Sequence, residues 1–158
     1  MTARDGRGTL AAMRDLAPDI VRQRLLIEAT YDRALESSDI SAYLVGLAAA
    51  LDLRTYGDPI VHAPGGDGKD ENQGFDAFVP LIDSGIALYV WTSARFLSVV
   101  LYTCKAFSVA DALAYGRKLE PDVMIDHATL TGACLVALGT LTAGFYCNDE
   151  TMSEAYLK

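Results

Sequence analysis

The stretch from Phe75 to Cys104, FDAFVPLIDSGIALYVWTSARFLSVVLYTC, constrains the fold more than any other part of the chain. It holds three apolar runs, Phe75 to Ile82, Ile86 to Trp91 and Phe96 to Cys104, divided by Asp83-Ser84-Gly85 and by Thr92 to Arg95. The runs are rich in β-branched and aromatic residues and the breaks in turn formers, so the pattern predicts an antiparallel three-strand meander. Side chains alternate with period two along a strand, which puts Tyr89 and Trp91 on one face of the middle strand. Ser84 is expected in the first turn and Cys104 at the end of the third strand, so the candidate chemistry gathers at the edges of the meander.

Elements on either side complete a single domain. Upstream, Arg24 to Tyr31 (RLLIEATY) reads as a strand with Leu25, Ile27 and Ala29 on one face. Ser38 is the expected N-cap of a helix from Asp39 to Leu51, in which Ile40, Tyr43, Leu44, Leu47 and Leu51 form an apolar stripe. Leu53 to Tyr56 and Pro59 to His62 suggest a short strand interrupted at Gly57-Asp58. Downstream, Ser108 is expected to cap a helix reaching Leu119, Pro121 to stop it, and Val123 to Ile125 to form one more strand. The predicted class is α+β, an antiparallel sheet with two helices packed on one face. Such a sheet leaves its other face and its edges to be covered, by the apolar tail or by a second copy, so self-association is expected.

Residues 1–19, with a helical pattern at Leu10, Met13 and Leu16, are expected to form a loose leader before the domain at 20–131. Residues 132–158 are expected to be an apolar tail, disordered or packed on the sheet.

Composition narrows the function classes. A formal charge of −8 disfavours nucleic acid, because phosphate contacts need clustered Lys and Arg, and is compatible with a cationic ligand. Although 51% of residues are hydrophobic, no run approaches the roughly 18 uncharged residues of a membrane span, and the first fifteen lack the apolar centre of a signal peptide. A cytoplasmic protein is therefore expected. The cysteines, Cys104, Cys134 and Cys147, form no CxxC pair, so neither a disulfide framework nor a zinc site is suggested. The glycine-rich loop from Ala63 to Gly74 is expected on the surface. It lacks the spacing of a phosphate-binding loop but offers Glu71, Asn72 and Gln73 to a substrate.

From Arg24 to Phe107 the chain resembles the small prokaryotic S-adenosylmethionine decarboxylase family. It resembles more closely that family's divergent members, which include phage-encoded enzymes that cleave S-adenosylmethionine. The resemblance is carried by RLLIEATY followed by a helix, by HAPGG ahead of the meander, and by LIDSGIALYVW followed by VVLYTCKAF. The decarboxylase turn reads Glu-Ser-His, with a second His five residues beyond the Ser and a Cys twenty beyond it. Ser84 and Cys104 keep the twenty-residue spacing, whereas Asp83 replaces the Glu, Gly85 the first His and Tyr89 the second. In that family the Ser becomes a pyruvoyl group, the electron sink for decarboxylation. With His62 and His127 the chain's only histidines, the departures imply that Ser84 stays unprocessed.

The resemblance therefore implies an S-adenosylmethionine lyase, giving methylthioadenosine and homoserine lactone with no cofactor. A self-processing decarboxylase and a non-catalytic S-adenosylmethionine-binding module are the alternatives. Glu71 and Tyr56 are the expected catalytic residues. Asn72, Gln73, Phe75, Phe78, Ser84, Tyr89, Trp91 and Cys104 are the expected substrate contacts, the aromatic ones for the adenine or the sulfonium. A homo-oligomer is expected, a trimer in preference to a dimer, with the loop reaching a neighbour's meander.

A second resemblance covers Val109 to Leu157, where ADALAYG and ATLTGAC occur in the order found in the leucyl aminopeptidase family. That family's metal-ligating Asn-Thr-Asp-Ala-Glu-Gly-Arg segment is missing, so Asp111, Asp122, Asp126 and His127 do not make a two-metal peptidase site. The arrangement implies a fusion in which aminopeptidase-like sequence supplies the last helix and strand.

Overall fold

A computed structural model describes residues 17, 19–63, 69–70, 73–128 and 147–156. Its centre is an antiparallel six-stranded sheet in the order β2-β3-β4-β5-β1-β6. The strands are β1 (Gln23–Tyr31), β2 (Ile60–His62), β3 (Gly74–Leu81), β4 (Ser84–Trp91), β5 (Phe96–Thr103) and β6 (Pro121–Ala128). The helices are α1 (Ser37–Ala50), α2 (Val109–Gly116), which continues into a 3-10 turn at Arg117–Leu119, and α3 (Glu150–Tyr156). This is the expected α+β class, with β3, β4 and β5 as the meander.

Register decides which residues share a face. Leu25, Ile27 and Ala29 oppose Leu101, Val99 and Leu97, which in turn oppose Ile86, Leu88 and Val90. Ile86 and Leu88 oppose Val79 and Ala77 on β3. All of these are buried and meet Ile40, Leu44 and Leu47 of α1, so one continuous core lies between the helices and this face. The expected stripe of α1 is fully buried, Tyr43 and Leu51 included. Tyr43 stacks at a tilt on Tyr115 of α2, ring centroids 5.6 Å apart, and burial pushes its phenol well above the usual range.

The opposite face is open. Ile60, Phe78, Tyr89, Val100 and Tyr102 stand on it, all partly exposed.

Several local expectations are corrected. Helix α1 starts at Ser37 with Glu36 as N-cap, not at Asp39 behind Ser38. The Asp39 carboxylate accepts the Glu36 N–H at 2.9 Å, the reciprocal half of a capping box in which Glu36, and not Ser38, is the cap residue. Ser84 is not in the first turn but opens β4, opposite Leu81. The turn is Ile82-Asp83, with Asp83 at φ 55°, a left-handed conformation that Asp tolerates. Leu53 to Tyr56 forms no strand beyond one bridge from Thr55 to Leu81. β6 runs well past Val123–Ile125 because β1 presents its second edge along that length, from Ala29 opposite Met124 to Leu25 opposite Ala128. Pro121 is tolerated as the first residue of this edge strand.

The Ser108 hydroxyl caps α2 as expected, accepting the Asp111 N–H at 3.2 Å. The pattern at Leu10, Met13 and Leu16, and most of the leader and the tail, lie outside the described residues. Within the tail, α3 is an element that sequence reading did not assign, capped by the Asp149 carboxylate accepting the Met152 N–H at 2.8 Å. Among the described residues no helix is long and apolar enough to cross a membrane.

Candidate functional site

The hairpin turn and the end of β5 bring Ser84 and Cys104 together. Gly85 pairs with Tyr102, so the residue before Gly85 reaches the backbone just past the end of β5. The Ser84 hydroxyl accepts the Cys104 N–H at 3.3 Å and donates to the Ile82 carbonyl at 3.1 Å. Both of its hydrogen-bonding roles are thus taken by backbone. The Cys104 thiol donates to the Tyr102 hydroxyl across 3.8 Å, and that bond, with desolvation a lesser cause, pushes the Tyr102 phenol up.

Beside this pair lies a cleft of about 240 Å³ lined by Asp52, Arg54, Leu81, Asp83, Cys104 and Lys105 among others. Lys105 Nζ donates to the Asp52 carbonyl and carboxylate, each at 2.6 Å, and holds the Asp52 carboxyl below its usual range. The cleft is therefore walled by an exposed ion pair that ties the end of α1 to the end of β5.

The neighbouring position is closed by an aromatic ring. A Cβ built on Gly85 would stand 2.5 Å from the Phe78 ring, far inside contact distance. Phe78 thus covers the place that the decarboxylase pattern gives to a histidine, and glycine is what lets it do so. His62 does not substitute. It pairs with Asp76, four residues along β3 from the Pro80 that opposes Gly85, a run of about 13 Å.

The remaining expected contacts are spread over the sheet. Tyr89 and Trp91 do share the open face, ring centroids 6.5 Å apart, and Trp91 also lies 5.4 Å from Phe96. Phe75 is on the other face, packed against the core, so it does not join them. Seven residue steps, about 23 Å of strand, separate Ser84 from Trp91.

Tyr56 is 69% exposed, and its N–H donates to the Pro80 carbonyl at the Ser84 end of β3. Gln73 is at the Trp91 end, where its carbonyl accepts both the N–H and the hydroxyl of Thr92 at 3.0 and 2.7 Å. Glu71 and Asn72 lie outside the described residues. Sequence reading missed Phe96, Asp52 and Lys105. Phe96 was legible as an aromatic next to a turn, whereas the ion pair between positions 52 and 105 had no local signal.

Among the described residues no cluster of three or more His, Cys, Asp or Glu side chains is placed to hold a metal ion.

Comparison with known proteins divides the chain in two. The cytosol aminopeptidase family, catalytic domain, matches residues 107–158. A probable cytosol aminopeptidase of Persephonella marina is 56% identical over 50 residues, 32% of this chain and 10% of that protein. One from Chlorobaculum tepidum is 58% identical over 48 residues, again 10% of its length. The chain thus spans about a tenth of the length of these curated relatives.

In three dimensions the chain is similar to the adenosylmethionine decarboxylase of Aquifex aeolicus, with a TM-score of 0.54 and 19% identity. The superposition covers 69% of this chain and 88% of that one, so the two share a fold. The aminopeptidase-like segment supplies α2 and β6, and β6 is paired in the same sheet as the rest.

Proposed function

We propose that the protein is an S-adenosylmethionine lyase that works without a pyruvoyl group, a metal or any other cofactor. The substrate's carboxylate oxygen attacks its own γ carbon as the bond from that carbon to sulfur breaks. The electron pair of that bond goes to sulfur, so the sulfonium leaves as neutral methylthioadenosine and the rest closes to homoserine lactone. Atoms and charge balance with no co-reactant. The protein need only hold the reacting atoms in line and favour the spread of charge.

One observation carries the choice of this reaction over decarboxylation: Ser84 is held by two backbone groups while Phe78 covers the neighbouring position 85. A serine so held has no imidazole within reach among the described residues to help convert it to an electron sink.

In this reading Glu71 faces the ammonium or sulfonium, Tyr56 orients the substrate through its hydroxyl, and Asn72 and Gln73 bond the carboxylate or ribose. Tyr56 and Gln73 flank opposite ends of β3, about 20 Å of strand apart. The reading therefore includes a homo-oligomer, a trimer before a dimer, in which one protomer's loop reaches its neighbour's meander. The apolar side chains on the open face support such contact. The proposed setting is the cytoplasm, where Cys104 stays reduced.

The test is incubation with S-adenosylmethionine followed by chromatography, together with intact-mass measurement. Methylthioadenosine and homoserine lactone should appear, from a protein that remains one species near 17.0 kDa. Cleavage between Asp83 and Ser84 into two fragments, or release of carbon dioxide, would overturn the proposal.

A further inference from the structure

The cleft beside Cys104 opens on the helix-covered side of the sheet, because its two leucines, Leu53 and Leu81, belong to the core. Four charged side chains reach it from three separate pieces of chain: Asp52 and Arg54 after α1, Asp83 in the turn between β3 and β4, and Lys105 after β5. Two are acids and two are bases, so the cleft is formally neutral in a chain whose formal charge is −8.

Lys105 and Asp52 neutralise each other, Nζ standing 2.6 Å from the carboxylate. Arg54 and Asp83 are left over. Neither side chain forms a hydrogen bond or an ion pair with another described residue, and Arg54 is the least of the influences on the Asp52 carboxyl. Backbone contacts nevertheless hold the two close. Thr55 bridges Leu81 and the Ile82 N–H donates to the Arg54 carbonyl at 3.2 Å, so position 54 lies beside position 82 and Asp83 is the next residue.

An ion of one sign would meet a like charge here as well as an opposite one. A molecule that carries both signs on one carbon meets a complementary group with each. The volume, about 240 Å³, is below the roughly 300–1,000 Å³ that enclose a drug-sized ligand, so the cleft takes something smaller than a nucleoside. We infer that it is a binding site for a free α-amino acid with a short uncharged aliphatic side chain. Arg54 takes the carboxylate through two parallel N–H donors, Asp83 accepts from the ammonium, and Leu53 and Leu81 receive the aliphatic part. Tyr89 and Trp91 stand on the opposite, open face, and the inference does not rest on the lyase reading.

The Cys104 thiol lines the cleft and is half-exposed, so its alkylation reports occupancy, while the exposed Cys147 has no place in the lining and serves as the internal control. The full chain is treated with iodoacetamide, and peptide mass spectrometry follows each cysteine separately. L-norleucine should slow alkylation of Cys104 saturably and leave Cys147 unchanged. Hexanoate, which lacks the ammonium, and pentylamine, which lacks the carboxylate, should protect at least about twofold more weakly. Arg54→Gln and Asp83→Asn should each weaken protection by norleucine about two- to fivefold, the size of one exposed charge contact. In Arg54→Gln norleucine should lose its advantage over pentylamine, and in Asp83→Asn its advantage over hexanoate. Asn tolerates the left-handed φ of 55° at position 83, and circular dichroism checks that both variants are folded.

No protection of Cys104, equal protection by all three ligands, or protection unchanged in both variants overturns the inference. Stronger protection by S-adenosylmethionine than by norleucine overturns it too, because the cleft would then belong to the substrate of the proposed lyase. Protection by norleucine without formation of methylthioadenosine leaves it standing and sinks the lyase reading alone.

Discussion

The Tyr115 hydroxyl occupies the space that a side chain at position 46 would need: a Cβ built on Gly46 would stand 1.6 Å from it. Gly46 belongs to α1, in the part of the chain read as decarboxylase-like, and Tyr115 to α2, in the segment matched by the aminopeptidases. The two segments are thus joined by close packing as well as by strand pairing. Tyr115 is further held by Tyr43 and by Lys118, whose Nζ lies 4.2 Å from its ring centroid.

This contact predicts a change of sign. Alanine is favoured over glycine in a helix by about 1 kcal/mol, but displacing Tyr115 costs about 1–3 kcal/mol. Gly46→Ala alone should therefore lower stability by about 1 kcal/mol in denaturant melts. In a Tyr115→Ala background the same substitution should raise it by about 1 kcal/mol. Destabilisation in both backgrounds would mean that Tyr115 does not sit against α1.

Ser84→Ala removes the acceptor for the Cys104 N–H at a half-exposed site, a loss of about 1 kcal/mol or less. Under the proposed lyase reaction, turnover should fall less than about threefold, because no step passes through the hydroxyl. Loss of all methylthioadenosine production would return the serine to the chemistry.

Glu71→Gln and Tyr56→Phe should each lower kcat/KM by about tenfold or more while leaving the thermal midpoint within about 2 °C. Unchanged turnover in Glu71→Gln would return the glutamate to the solvated surface.

Asp39 predicts a pH effect with a definite sign. The hydrogen bond from Arg33 at 3.1 Å, and then the one from the Glu36 N–H, hold its carboxyl below the usual carboxylate range. A depressed folded value contributes stability above the unfolded value, and that contribution is lost as pH falls through the folded one. Asp39→Asn should lower the thermal midpoint near pH 7 by about 2 °C, and the difference should shrink towards zero in strong acid. A difference that stays constant down to low pH would count against the ionised cap.

Truncation after Gly132 tests the domain limits. Because β6 ends at Ala128, the shortened chain should keep the sheet's circular dichroism and its turnover. If turnover vanishes while the fold survives, the segment beyond has a part in the site.

Much of this was legible in one dimension because it depends on local period. The alternation in Phe75 to Cys104 predicts three strands and puts Tyr89 with Trp91, and the stripe from Ile40 to Leu51 predicts a helix with one buried face. The replacements at 83, 85 and 89 could likewise be read from the chain alone, and they direct the reading away from Ser84. Period carries no information about partners, however. Only the tertiary structure decided that Phe75 turns away from Tyr89 and Trp91. It alone placed the Phe78 ring over Gly85 and put Phe96 and Ser98 beside Tyr89 and Trp91. Those relationships arise from register between strands, set by the joint burial of one face. Moving any strand by one residue would leave its sequence unchanged and exchange its two faces.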